Sequence, residues 1–186
     1  MRTTLLTLFL ALAPERAALA EAPAPAVPAP WPRTRPLSVN ATELLASARE
    51  RSSIVATLLE QLDGTDVIVY VTDLAAPSGH GPLSHMVYLT NDASSRYVLV
   101  RIDHWRVSPV ERIALLGHEL QHALEVASAP EVRDSLGLKG LYKRIGWESQ
   151  KDRYESEAAK AVGNRVRSEL YSAGKRPTLI AKAPTP

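Results

Sequence analysis

From Asn40 to Leu62 the apolar residues Leu44, Leu45, Ile54, Val55, Leu58, Leu59 and Leu62 recur at three- and four-residue steps. That spacing predicts a helix, and Asp63-Gly64 ends it. The pattern then changes. Asp66 to Thr72 is β-branched and aromatic almost throughout and reads as a strand. After a Gly/Pro/Ser-rich loop over residues 76–84, a second strand is expected at Met86 to Thr90 and a third at Arg96 to Ile102. Residues 91–95 supply the turn that makes these two an antiparallel hairpin. Helical spacing returns at Ile113, Leu116, Leu120, Ala123, Leu124 and Ala127. Ser108 as N-cap, Pro109 in the first helical position and Glu111 closing a capping box mark where this helix starts. A further helix is expected around Pro130 to Ile145, interrupted by Gly137 and Gly140, and a last one from about Glu148 to Ser172. The fold class is α+β: an N-terminal helix and a small, mostly antiparallel sheet packed on the central helix, followed by further helices.

The ends of the chain read differently. Arg2, the apolar run Leu5 to Ala13 and Ala18-Leu19-Ala20 make residues 1–20 a secretory signal with a cleavage site after Ala20. Residues 21–36 are Pro/Ala-rich and are expected to run as an extended linker. The folded domain is then residues 37–173, and residues 174–186 are a flexible tail. The mature protein is expected outside the cytoplasm, periplasmic or secreted, without a stable membrane anchor. The chain contains no cysteine, which excludes disulfides, thiolate-ligated zinc and thiol catalysis. A formal net charge of +2, with basic and acidic residues interspersed, leaves no footprint for nucleic acid.

The chemistry concentrates in His118-Glu119-Leu120-Gln121-His122. Residues four apart on a helix lie one turn above each other, so His118 and His122 can direct two imidazoles at one metal ion. Both are expected opposite the apolar stripe, with Glu119 on the flank, able to act on a water beside the metal. Such a site needs a third protein ligand and an open position. The candidates are Glu125, Asp134, Asp152, Glu155 and Glu157. Glu125 lies seven residues beyond His118, about 10 Å along the axis, and is expected to support the site or face solvent. If residues 148–172 are helical, Tyr154, Ala158, Ala161, Val162 and Val166 form its apolar face, and Glu155 falls within that arc while Glu157 turns away. An inward carboxylate needs a cation, so Glu155 is expected to hold the metal rather than pair with Arg144 or Arg165. His80, His85 and His104 read as ordinary loop or surface histidines.

His118-Glu119-x-x-His122 followed by Glu155-Ser156-Glu157-Ala158 resembles the zincin metallopeptidases of the gluzincin branch. In particular it is similar to the H-E-x-x-H…E-x-x-A-D pattern of CAAX-type zincins and their minimal soluble relatives. The likeness covers Ser108 to about Leu170. It implies zinc held by His118, His122 and Glu155, with Glu119 as the catalytic base. Ala159 departs from the pattern, which has aspartate there to orient a ligand histidine, so that task falls to another residue or goes unfilled. A metzincin is disfavoured, because Glu125 stands at its glycine position and no third histidine follows. The resemblance thus implies hydrolysis of peptide bonds in a peptide or protein substrate. Tyr142, Tyr154 and His85 are candidates to stabilise the oxyanion, and the third strand is expected to pair with an extended substrate. The alternative is a catalytically silent zincin-like binding or scaffold protein with a structural or vestigial metal site.

Overall fold

β-Branched runs with Gly/Asp punctuation build a four-stranded sheet, and amphipathic helices cover one of its faces. In the computed structural model, residues 32–74, 81–150 and 153–173 are described. Residues 1–31, for which a secretory signal and linker are expected, His80, Asp152 and residues 174–186 lie outside the described residues. The elements in order are β1 (Thr34–Pro36), α1 (Val39–Arg51), α2 (Ser53–Asp63), β2 (Val67–Asp73), β3 (Ser84–Asn91) and β4 (Arg96–Ile102). They continue with α3 (Pro109–Ala127), α4 (Ser135–Ile145), β5 (Gly146–Gln150), β6 (Arg153–Ser156) and α5 (Glu157–Ala173). The class is α+β, as expected. No helix among the described residues is long and apolar enough to cross a membrane.

The sheet order is β1-β2-β4-β3. The hairpin of β3 and β4 is antiparallel, as its turn predicts, but β1 with β2 and β2 with β4 are parallel. The sheet is therefore mixed rather than mostly antiparallel. The chain crosses from β1 to β2 through α1 and α2, and such a crossover returns a strand in parallel. The linker expectation also changes at its end. Thr34–Pro36 joins the sheet, with Leu37 N–H donating to Val71 at 2.8 Å and Val69 N–H to Arg33 at 2.8 Å. Pro36 is tolerated because β1 is an edge strand.

Val67, Val69, Val71, Val98, Val100 and Ile102 point to one face and are fully buried in a core with Leu58 and Leu62 of α2 and Ile113, Leu116 and Leu120 of α3. Cross-strand register puts Ser84, Met86 and Tyr88 of the edge strand β3 on that same face. The expected helix from Asn40 to Leu62 is two helices. Ser52 leaves the helical region at φ −130° and caps α2, accepting from Val55 N–H at 3.2 Å. Glu169 of α5 holds this joint, accepting from Ser52 Oγ at 2.5 Å and Ser53 N–H at 2.8 Å.

Helix α3 begins as its sequence predicts, with Ser108 accepting from Glu111 N–H and Pro109 in the first turn. The Glu111 carboxylate instead takes Arg167 of α5 in a bidentate pair. The other end of α3 is closed by Arg96, whose guanidinium donates to the carbonyls of Val126 and Ala129 at 2.7 Å and pairs with Asp66. Glycine sets the spacing of α3 and α5. A Cβ on Gly117 would lie 3.0 Å from Val166 Cγ2, and one on Gly163 would lie 3.4 Å from His118 Cβ. Helix α4 runs through Gly137 and Gly140 without interruption, because Asp134 caps it by accepting from Gly137 N–H at 2.7 Å. The last helix starts at Glu157, nine residues later than expected; the segment before it is the hairpin β5–β6.

Candidate metal centre

The central helix presents His118 and His122 one turn apart, with ring centroids 4.8 Å from each other. The β5–β6 hairpin brings Glu155 against them. Its Oε1 lies 3.6 Å from Nε2 of His118 and 3.6 Å from Nε2 of His122. One ligand atom from each residue falls within 4.8 Å of the others, so His118, His122 and Glu155 form a group that could hold a metal ion. The donor chemistry fits. His122 Nε2 is buried without a hydrogen-bond partner, 3.6 Å from Glu155 Oε1, an orphaned nitrogen that an ion could take once it is deprotonated. Two imidazoles and one carboxylate make the three-ligand set of a site that keeps one position open.

Glu155 is the expected residue reached by a different route. It sits on β6, not on a helical arc, opposite Trp147 of β5. Its Oε1 also accepts from Ser156 N–H at 2.9 Å, which fixes the carboxylate. Gly146 makes this approach possible, since a Cβ there would lie 2.0 Å from the Glu155 carbonyl oxygen. Arg144 pairs with Glu131 instead of Glu155. Glu157 is exposed and pairs with Lys160 at 3.4 Å.

Behind His122 lies a buried polar network. Nδ1 of His122 is 2.8 Å from Glu125 Oε2 and 2.7 Å from the Tyr142 hydroxyl, and that hydroxyl donates to Glu125 at 3.0 Å. Ser156 Oγ donates to the other Glu125 oxygen at 2.5 Å and accepts from Ala159 N–H at 3.1 Å, capping α5. Glu125 therefore takes Nδ1 of His122, which orients the ring and leaves Nε2 on the side of His118 and Glu155. Tyr142, a candidate for the oxyanion, is committed to this network. Its ring meets His122 edge-on and stacks on Tyr154 at 5.3 Å. This side of α3 was expected to face away from the core, yet His122 is only 4% exposed and Glu119 3%, because other elements close over the helix.

The electrostatics follow from that burial. Desolvation pulls the His122 pKa down, but the hydrogen bond with Glu125, the close contact with Glu155 and the nearby Glu119 and Glu125 charges outweigh it, raising the value to about 9. Burial pushes Glu125 and Glu155 upward, and their histidine contacts reverse this and hold both below the usual carboxylate range. Metal-free, the centre is an ion-pair cluster with a proton on His122 where the ion would sit.

Glu119 stands beside the cluster. Its Oε1 accepts from Ser84 Oγ of β3 at 2.6 Å, a partner that lies in an unremarkable Ser-His dipeptide of the sequence. These residues line a cleft of about 580 Å³ that runs along β3. Four consecutive residues, Ser84 to Val87, line it, as an open strand edge allows. The edge strand is thus β3; the third predicted strand, β4, lies inside the sheet with both edges paired. His85 lines this cleft too, with Arg101 Nη1 3.3 Å from its Nε2. His104 is remote from the cleft, between Asp73 and Arg112. No protein-family model, curated protein or solved structure matches this chain.

Proposed function

We propose that this protein is an exported, zinc-dependent metallopeptidase of the zincin type. The observation that carries the reading is the convergence of His118, His122 and Glu155 beside Glu119 in a cleft along an open strand edge. His118, His122 and Glu155 would hold zinc, whose Lewis acidity acidifies a water and polarises a carbonyl. Glu119 is the base. Ser84 occupies one of its oxygens and orients the carboxylate, leaving the other to accept a proton from the attacking water. The water oxygen bonds to the scissile carbonyl carbon, the C–N bond breaks, and Glu119 returns the proton to the leaving amine. Glu125 and Tyr142 keep the His122 lone pair directed inward throughout.

An extended peptide fits the edge of β3, which no other strand pairs with among the described residues, so that its backbone offers donors and acceptors. Leu83, Met86, Leu115 and Leu138 supply apolar surface along the cleft for its side chains. Tyr154 lines the same cleft and is an expected donor to the developing oxyanion. Glu125 fills the role of the missing aspartate, and a silent scaffold would not need a buried Glu119 held by Ser84 at the cleft.

The test is Glu119→Gln, which keeps the size and the acceptor for Ser84 but cannot take a proton. Zinc content should match the wild type, while turnover of a fluorogenic peptide should fall at least ~100-fold. Equal turnover by the two zinc-loaded proteins refutes the base assignment. Export is tested separately: the N-terminus of the mature protein should be Glu21.

A further inference from the structure

The cleft has a second chemistry. His85 of β3 and Arg153 of β6 both line it, and Arg101 of β4 stands against His85. Among the described residues no carboxylate pairs with Arg101 or Arg153. Arg101 Nη1 contacts His85 Nε2 at 3.3 Å, and Arg153 Nη1 donates to the Gln150 side chain at 2.5 Å. Arg96, Arg106, Arg144 and Arg167 each hold an acidic partner.

The protonation of His85 follows from its neighbours. A guanidinium can only donate, so Nε2 facing Arg101 is the acceptor and Nδ1 carries the hydrogen. Burial holds the imidazole neutral, the Arg101 and Arg153 charges act the same way, and Glu119 opposes them. Nδ1–H is buried and has no partner. An orphan donor in such a place is a cost that a bound acceptor removes.

We propose that Arg153 and His85, with Arg101 fixing the His85 tautomer, form a subsite for a carboxylate, so that the cleft takes peptides bearing a carboxylate close to the scissile bond. The inference rests on the peptidase reading for its substrate class, and the subsite itself is a matter of binding. A carboxylate suits the position. Glu119 and Glu155 repel it from the metal end of the cleft, while a planar guanidinium can grip it through two parallel N–H bonds. The carboxylate can come from a peptide C-terminus or from an Asp or Glu side chain. The first makes the protein a carboxypeptidase, the second an endopeptidase with acidic preference.

Binding is measured on the metal-free full chain, where a carboxylate has no zinc to ligate. The probes are acetyl-Leu-Leu as the free acid, acetyl-Leu-Leu amide and acetyl-Leu-Glu amide. At least one acidic probe should bind about tenfold more tightly than the neutral amide, as a charge-assisted bidentate contact implies. The free acid leading identifies the C-terminus as the source, and the Glu amide leading identifies the side chain. Arg153→Gln should reduce the preference to below about twofold, and Arg153→Lys, which keeps the charge without the fork, should restore only part of it. Equal binding of all three probes overturns the subsite, and so does an acid preference that survives in a folded Arg153→Gln protein. Peptide turnover by the zinc-loaded wild type is read separately. No turnover together with an intact acid preference sinks the peptidase reading and leaves the subsite standing.

Discussion

Metal binding by this protein should be coupled to the release of one proton, and the network behind His122 fixes its size. In the metal-free protein the His122 pKa is raised to about 9. At pH 7, about two units lower, roughly 1% of the imidazole is neutral. An ion can use Nε2 only after that proton leaves. Apparent affinity at pH 7 is therefore about 100-fold below its value above pH 9 and rises about tenfold per pH unit in between. Glu155 adds nothing to this slope, because its histidine contacts keep it ionised across the window.

The assay is zinc titration by calorimetry at pH 7 in buffers of different ionisation enthalpy, with chelator competition at pH 7, 8 and 9. About one proton should leave per zinc from His122. Glu125→Gln removes the hydrogen bond and the charge that lift the His122 pKa, so less of the imidazole is protonated at pH 7 and the pH slope of zinc affinity should be flatter. The stability of the metal-free protein has the opposite sign. A raised folded pKa stabilises fully below the unfolded value near 6.5 and is lost as pH rises through about 9. The melting temperature of the metal-free protein should fall from pH 7 to 9, and saturating zinc should remove that fall. Zinc affinity unchanged between pH 7 and 9 would refute the reasoning, since it would mean that His122 carries no proton to displace.

Other perturbations test the geometry directly. Glu155→Ala should weaken zinc more than the ~10–100-fold typical of an outer partner, while Glu157→Ala should leave it unchanged; competition with a chromophoric chelator measures both. Gly146→Ala puts a methyl group where the Glu155 carbonyl oxygen stands 2.0 Å away, so the hairpin must shift and zinc affinity should fall in a protein that still folds. Arg96→Met strands the carbonyls at the end of α3 and leaves Asp66 without its partner, and should cost about 3–5 kcal/mol in chemical denaturation.

Local signals carried most of the fold. The run Val67 to Thr72, the turn at 91–95 and the Ser108-Pro109 start of α3 state their structures in short stretches of sequence, because propensity and capping are local. What they do not state is pairing. That β2 lies beside β4 rather than β3, and that Thr34–Pro36 adds an edge strand, depends on how crossovers pack against the sheet. The break at Ser52 was hidden for a similar reason: its second partner, Glu169, lies 117 residues away. The segment from Gly146 to Ser156 shows how a right residue can follow from a wrong element. Tyr154 and Glu155 fit the apolar arc of the following helix, so the period pointed inward correctly while the backbone was a hairpin. Trp147 and Tyr154 as strand aromatics, with Gly146 ahead of them, were the signal available for the hairpin.

The site was legible where its chemistry lies on one helix and illegible where it is assembled from several. His118, Glu119 and His122 share α3 and can be read from their spacing. The residues that make them usable do not. Ser84 comes from β3, Tyr142 from α4 and Ser156 from β6, and each contributes one hydrogen bond to a carboxylate of α3. Ser156 matters twice, because the hydroxyl that donates to Glu125 also caps α5. The end of β6, the start of α5 and the orientation of His122 are thus fixed by one side chain. Glu155, the adjacent residue, cannot reach the histidines unless that junction has formed. Closing the centre and docking the C-terminal hairpin and helix on α3 are one event, so an ion that binds only the closed centre must stabilise this half of the fold by the same free energy.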